Sequence, residues 1–195
     1  MDLISPYYKH LLNRLHHQRP RGFGNTAWLK GLEQFTDGHK SFLDYGCGKG
    51  NVVNGLKERY PDALVRGYDP GMPDFDKVPD SSETYEFLLC TDVLEHIEPD
   101  RIDNVLQHIN FLFTKKAYLM IDTVPARKFL PDGRNAHLIL EQPEWWDIKI
   151  KENIQAKPIY TLFRKKKKYI VVLEKETGHG EDWYKSKSHL ENKLW

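Results

Sequence analysis

Three groups of residues in this chain have the types and spacing to do chemistry. The first is Asp44-Tyr45-Gly46-Cys47-Gly48-Lys49-Gly50, in which three glycines alternate with other residues behind an apolar run that ends in a carboxylate. Glycine permits positive φ and lets backbone approach a ligand closely. The spacing is GxGxG, with Asn51 where the dinucleotide fingerprint needs its third glycine, and no GK[ST] follows. Neither a dinucleotide turn nor a P-loop is indicated. Asp44, two residues before Gly46, would repel a pyrophosphate and attract a cation or an ammonium group. Asp69, nineteen residues after Gly50, ends the next apolar segment, where a carboxylate can accept both hydroxyls of a ribose. The second group is Asp92, Glu95 and His96, in the stretch TDVLEHI. The third is DGRNAHLILEQPEWWDIKI, which carries Arg134, His137 and the adjacent Trp145 and Trp146.

These groups need elements to hold them. Residues 3–17 read as a helix, with Ile4, Tyr8, Leu11, Leu12 and Leu15 at helical spacing. Arg19-Pro20-Arg21-Gly22 breaks it, and Asn25 or Thr26 can cap a second helix to about Phe35. Ser41 to Tyr45 reads as a buried strand, and the glycine stretch opens a helix ending near Tyr60. Ala63 to Tyr68 is a second strand. Residues 70–84 are rich in Pro, Asp and Ser and read as loop, with at most a short strand at Phe75 to Val78. Glu86 to Thr91 is a strand. Pro99 suits a first helical turn, and Ile102, Val105, Leu106, Ile109, Leu112 and Phe113 give the following helix one apolar face. Ala117 to Asp122 is a strand, and Pro143 to Asn153 a helix. Ile159 to Phe163 and Tyr169 to Glu174 flank the basic run Arg164 to Lys168, as a hairpin would. This alternation predicts an α/β fold: a Rossmann-like, doubly wound, mostly parallel sheet in a three-layer αβα arrangement, with a C-terminal antiparallel hairpin strand at its edge. In such sheets ligands sit beyond the carboxyl ends of the strands, and all three groups fall there.

A ribose contact at Asp69 and a positive, phosphate-free group near Asp44 describe S-adenosylmethionine. At this point the chain resembles the class I S-adenosylmethionine-dependent methyltransferases, in their small-molecule branch. LDYGCGKG resembles the family's first motif, VRGYDP its second, and FLLCTDVLEHI its fourth-strand motif. The resemblance covers roughly residues 40–175. It implies a cofactor-binding domain at 39–175, a helical cap or lid at 1–38 and a polar tail at 176–195. It places Asp44, Gly46, Cys47, Gly48, Gly50, Asp69, Pro70 and Asp92 around the cofactor, with Cys47 serving mainly as a small residue in a crowded turn. The chain departs from the family after Asp69, where a helix and a third strand usually follow and an acid meets the adenine. Only residues 70–84 are available, and Asp76 and Met72 are the candidates for that contact.

Methyl transfer is an in-line displacement for which the protein aligns the reactants and removes water. A general base matters when the acceptor is a hydroxyl or ammonium group. The resemblance makes His137 a candidate base in the loop over the acceptor pocket, and Asp92 a lining residue of the methionine end or the acceptor pocket. Glu95 and His96 either face the acceptor or start the following element. Arg134 can bind an acidic acceptor. Adjacent helical residues point about 100° apart, so at most one of Trp145 and Trp146 faces the pocket. Tyr7, Tyr8 and the segment Arg21 to Trp28 can close over the cofactor, although Phe23 and Trp28 also suit a core.

Composition limits the alternatives. With 195 residues the chain favours one domain. A net charge of +1 implies no nucleic-acid or membrane partner by itself, and no apolar run approaches the roughly 20 residues a membrane span needs. The start MDLISPYYKHLL lacks a secretory pattern. Two cysteines without a CxxC pair suggest neither a zinc site nor a disulfide framework, and a reducing, cytoplasmic setting is expected. Two other readings stay open: a nucleic-acid methyltransferase using the basic run 164–168 as a phosphate patch, and a non-catalytic cofactor-binding or scaffolding protein. Asp92-Val93-Leu94-Glu95 stands where base-amino enzymes usually carry Asn- or Asp-Pro-Pro-Tyr, and the Pro-Cys of cytosine C5 enzymes is absent. Trp183, Tyr184 and Trp195 in the tail can dock on a partner.

Overall fold

A computed structural model of the chain describes residues 2–17, 29, 31–80 and 82–176. The cap proposed at Asn25 or Thr26, the lid segment 21–28 and the aromatic tail lie outside the described residues. Six strands form one sheet: β1 (Ser41–Tyr45), β2 (Leu64–Tyr68), β3 (Tyr85–Thr91), β4 (Phe113–Asp122), β5 (Lys157–Arg164) and β6 (Lys168–Glu174). Their order is β2-β1-β3-β4-β6-β5. The first four run parallel, and β6 is antiparallel to both its neighbours. The hairpin therefore does not add its antiparallel strand at the edge: β6 is inserted between β4 and β5, and β5 forms the edge. Pro158 and its run of exposed residues fit an edge strand.

Side chains alternate across each strand, and this divides the interior into two cores. Leu43, Leu88, Cys90, Leu119 and Val171 face one side, where α4 (Ile102–Leu112) and α5 (Pro143–Asn153) cover them with Val105, Leu106, Ile109, Trp146 and Ile150. Phe42, Phe87, Leu89 and Val172 face the other side, where α3 (Asn51–Arg59) supplies Val52, Val53 and Leu56, and the segment before α2 (Glu33–Thr36) supplies Leu29 and Leu32. The α4 face is the one its periodicity predicts except at Phe113, which opens β4 four residues before the expected strand start. The helix begins at Ile102 rather than Pro99, because residues 98–101 close a separate turn in which Arg101 N donates to Glu98 O at 2.8 Å.

No strand forms at Phe75 to Val78 among the described residues. Asp69 N donates to Phe75 O at 3.0 Å and Phe75 N to Met72 O at 2.8 Å, so the segment folds back on itself. The short link is sterically sufficient. Returning along a five-residue strand and crossing β1 needs roughly 25 Å, whereas residues 69–84 fully extended reach about 50 Å.

α1 (Pro6–His17) stands outside both cores. Ser5 Oγ accepts from Tyr8 N at 3.1 Å as its N-cap, and Pro6 takes the first helical position, three residues later than the apolar spacing alone suggests. Tyr8 and Leu11 pack on Leu130 and Ala136 of the loop after β4.

The glycine turn joins β1 to α3. Gly46, Gly48 and Gly50 have φ of 82°, 51° and 76°, all left-handed. A Cβ at Gly46 would lie 2.2 Å from Val93 Cγ2, and one at Gly50 would lie 2.7 Å from the Phe75 ring, whereas at Gly48 the nearest atom is 3.9 Å away. Gly48→Ala is thus expected to cost only the left-handed backbone penalty, about 1–2 kcal/mol. Gly46→Ala is expected to lower the unfolding temperature considerably more, and thermal denaturation of the two variants side by side checks the ranking. In the core, Trp146 is fully buried and its Nε1 has no protein partner. Trp146→Ala is expected to cost about 3–5 kcal/mol in denaturant unfolding. Trp146→Phe should cost far less, since it keeps most of the volume and removes an unpaired buried donor.

Candidate active site

A cavity of about 1060 Å³ opens at the carboxyl ends of the parallel strands. Asp44, Gly46, Cys47, Gly48, Asp69, Pro70, Asp92, His96 and His137 all line it. Gly50 is not at the wall; it is buried against Phe75 and serves the turn. Helix α1 runs along the mouth. Tyr8 Oη donates to His96 O at 2.6 Å near one end. Lys9 pairs with Asp76 at 3.0 Å, and His16 Nε2 lies 3.7 Å from Asp69 Oδ1 at the other end.

At the glycine end, Gly46 N and Cys47 N both donate to Tyr68 O, at 2.7 and 3.0 Å, which binds the turn to the end of β2. Asp69 completes that joint. Its Oδ2 accepts from Gly48 N at 2.9 Å and its Oδ1 from Gly71 N at 2.8 Å. Each oxygen keeps a further lone pair for a ligand. Asp44 differs: it is buried, and its Oδ2 has no protein partner. Burial, then the Asp69 charge, pushes its carboxyl up to about 7. Burial also pushes the Cys47 thiol well up, so it stays protonated and fills space beside Gly67. His16 is lowered by burial, which the nearby Asp69 opposes. Of the two residues considered for adenine, Asp76 is taken by Lys9, and Met72 N closes the turn onto Asp69 O at 3.1 Å.

At the other end, Asp92 has φ of 56° and donates its N–H to Met120 O at 2.8 Å. Its Oδ1 meets Lys168 Nζ at 2.6 Å, and the same ammonium lies 3.1 Å from Asp122 Oδ1. Glu95 and His96 lie on the 3-10 turn Leu94–His96. Glu95 Oε1 accepts from Asp122 N at 3.0 Å, and its carbonyl accepts from Leu138 N and Ile139 N at 2.8 and 3.0 Å. Its Oε2 is buried without a partner, and burial pushes the carboxyl up to about 8. His96 Nδ1 bonds Ala136 O at 2.7 Å and His137 Nδ1 bonds Val124 O at 2.5 Å. A carbonyl only accepts, so each Nδ1 carries the proton and each Nε2 keeps its lone pair. The rings meet edge to face at 4.7 Å. Burial, then His137, lowers His96 to about 4.

The third motif contributes less than its composition suggests. Asn135 Oδ1 accepts from Ala126 N at 3.0 Å and His137 N at 2.9 Å, folding the loop that presents His137. Arg134 is exposed and pairs with Asp132. Neither tryptophan lines the cavity: Trp146 is core, and Trp145 packs against it under Lys149. Sequence reasoning placed Lys168 only in the basic hairpin run and missed its pairing with Asp92 and Asp122, and it missed His16. Their roles come from long-range pairing, of β6 with β4 and of α1 with the turn after β2, for which no local signal exists.

A profile of the family described as "Methyltransferase domain" matches residues 15–162. Among solved structures, the PH0226 protein of Pyrococcus horikoshii OT3 aligns with a TM-score of 0.59 at 13% identity, over 89% of this chain and 97% of that one. The 1,6-didemethyltoxoflavin-N1-methyltransferase of Burkholderia thailandensis, solved with 1,6-didemethyltoxoflavin and S-adenosylhomocysteine, aligns with a TM-score of 0.54 at 16% identity, over 90% and 92%. The magnesium protoporphyrin IX methyltransferase of Synechocystis PCC 6803, solved with SAH, aligns with a TM-score of 0.52 at 16% identity, over 87% and 84%. At these identities the likeness establishes the fold. No curated protein matches. The profile covers well over half of the chain and includes the glycine turn and the TDVLEHI stretch: the chain belongs to the methyltransferase-domain family, in the class I S-adenosylmethionine-dependent fold that its motifs resemble.

Proposed function

We propose that the chain transfers a methyl group from S-adenosylmethionine to an oxygen or nitrogen atom of a small molecule. The observation that carries this reading is the division of one cavity. One end offers a buried carboxylate oxygen without a partner, at Asp44, beside Asp69 and two left-handed glycines, Gly46 and Gly48. The other end offers two imidazoles whose Nε2 atoms keep their lone pairs. When bound, S-adenosylmethionine supplies a methyl group already activated by a sulfonium charge. Asp44 supplies the charge that holds an ammonium group, Asp69 accepts from ribose hydroxyls, and the backbone at Gly46, Gly48 and Pro70 leaves room for close approach. Asp92, held by Lys168, borders the space between the two ends. His137 and His96 activate the acceptor, each able to take a proton at Nε2. Helix α1 acts as the lid that excludes water, anchored at His96 and beside Asp69. The two buried, unpaired cysteines fit a reducing compartment such as the cytoplasm, and no helix among the described residues is long and apolar enough to cross a membrane.

One observation favours a second reading. Arg164 at the end of β5 and Lys165 and Lys167 of the β5–β6 turn border the same cavity, so a nucleic-acid acceptor would find cations at its mouth. Titration of duplex and single-stranded oligonucleotides at low and high salt separates the two. Absence of low-salt binding rules the nucleic-acid reading out.

Asp44 gives the cofactor assignment a pH signature. In the free protein its folded pKa, about 7, lies above its ordinary value. Its ionisation therefore opposes folding, and stability is lost as pH rises from about 4 through 7. An ammonium ligand favours the ionised form, so calorimetric affinity for S-adenosylhomocysteine is expected to rise between pH 6 and 7.5. Asp44→Asn should weaken binding at pH 7.5 by roughly 10–100-fold, as for loss of a charged hydrogen bond, and flatten the pH dependence. The same variant should melt higher than the wild type, with the larger gain at pH 8 than at pH 5. Absence of any binding heat in the wild type would refute the cofactor assignment.

A further inference from the structure

We infer that Glu95, His96 and His137 form a site for one divalent transition-metal cation. One donor atom from each lies within 4.8 Å of the other two. An ion about 2.0–2.2 Å from each donor needs only small side-chain adjustments to sit between them. Three further observations favour an ion over an accidental cluster.

The first is the state of the two rings. Metal-ligating histidines almost always donate their second ring N–H to a carbonyl or carboxylate, which fixes tautomer and orientation. His96 donates to Ala136 O and His137 to Val124 O, so both rings are locked with Nε2 as the donor nitrogen. The second is Glu95. Its side chain is fully buried, Oε1 is oriented by Asp122 N, and Oε2 has no partner. An unpaired buried carboxylate oxygen is costly, and a cation removes that cost. The third is preorganisation. Glu95 and His96 are neighbours on one turn, and the Glu95 carbonyl accepts from both Leu138 N and Ile139 N, directly after His137. The backbone thus holds the three donors together, although His137 lies 41 positions after His96. A search for cysteine spacing does not reveal such a set.

The donors also indicate the kind of ion. Two imidazole nitrogens and one carboxylate suit zinc, cobalt or iron, whereas magnesium and calcium prefer all-oxygen sites. An all-oxygen alternative exists next door, in Asp92, Glu95 and Asp122, but the Lys168 ammonium already bridges Asp92 and Asp122. Three protein ligands leave at least one coordination position open, and both histidines line the cavity. Building on the methyl-transfer reading, the acceptor would be a hydroxyl bound to that ion: the ion raises its acidity so that the proton is lost to solvent, and the oxygen then takes the methyl group as S-adenosylhomocysteine leaves. With the ion bound, the two rings are ligands and not bases.

The test uses the full chain, treated with chelator and dialysed, and titrated with Co²⁺, Zn²⁺ and Mg²⁺ by calorimetry and, for Co²⁺, by visible absorption. One equivalent of Co²⁺ and of Zn²⁺ should bind, with Mg²⁺ weaker by at least about 100-fold. His137→Ala and His96→Asn should each abolish the Co²⁺ absorption and the rise in melting temperature with Zn²⁺. His10→Ala, on the exposed side of α1, should leave both unchanged. Failure of the wild type to bind Co²⁺ overturns the inference whatever the variants do, as does equal binding of Mg²⁺. Co²⁺ binding that persists in a folded His137→Ala protein overturns it too. S-adenosylhomocysteine titrations run in parallel keep the two readings apart: their failure with Co²⁺ binding intact refutes the cofactor assignment alone, and the converse refutes the metal site alone.

Discussion

Parallel strands deliver their carboxyl ends to one edge of the sheet, and in this chain β1 to β4 each carry an aspartate at or directly beside that end. Asp44 belongs to β1, Asp69 follows β2, Asp92 follows β3 and Asp122 closes β4. The fold therefore concentrates negative charge where its ligands must bind, and the rest of the site can be understood as the handling of that charge. Lys168 bridges Asp92 and Asp122. Asp69 is satisfied by two backbone N–H groups and faces His16. Asp44 receives nothing at Oδ2, and Asp69 adds to the cost of its ionisation. A buried carboxylate with that environment ionises less readily until a cation joins it, which is why the proposed cofactor contact rests more on Asp44 than on the glycines. A glycine turn says that backbone comes close to something. An unneutralised carboxylate says what sign that something has.

The position of the hairpin also brings a counter-charge to that edge. β6 runs antiparallel between β4 and β5, so its first residue, Lys168, lies opposite Asp122 at the end of β4. A parallel strand in that place would have brought its last residue to the same edge. The turn is tied down where β4 ends: Thr123 N and Oγ1 both donate to Lys167 O, at 2.7 and 3.1 Å. Within it, Lys165 and Lys166 have φ of 52° and 53°, a region that Asn and Gly enter far more cheaply. The chain accepts that strain and keeps basic side chains at the mouth of a cavity whose floor is acidic.

What could be read in the sequence is what depends on near neighbours. The glycine turn, its approach from β1, the acid after β2 and most of the α4 face are set by residues within a few positions of one another, and α5 spans the expected Pro143 to Asn153. The antiparallel hairpin was legible as a hairpin, but its insertion beside β4 was not, because strand order depends on long-range pairing. The segment after Asp69 shows the limit from the other side. Its composition correctly denied it a helix. That it folds back on Asp69 through Phe75, and that the Phe75 ring then closes on Gly50, depends on contacts no local pattern encodes. Glu95 was the least legible site residue. In sequence it sits beside a more conspicuous histidine. Only the fold shows it fully buried under two loops, with its carbonyl and carboxylate each engaged.

Burial of Glu95 also explains how two distant histidines reach the same place. The strand β4 and the loop after it have to return to the turn that follows β3, and hydrogen bonds to Glu95 are what fix that return: Asp122 N at the carboxylate, Leu138 N and Ile139 N at the carbonyl. Asn135 shapes the loop between them by accepting from Ala126 N and His137 N. α1 then covers the arrangement, with Tyr8 Oη on His96 O and Ser5 on Glu98. Each histidine is oriented through backbone carbonyls rather than through flexible side chains. Backbone holds position more tightly than a long side chain, whose rotamer freedom must be paid in entropy, so the edge-to-face geometry of the pair follows from the fold itself.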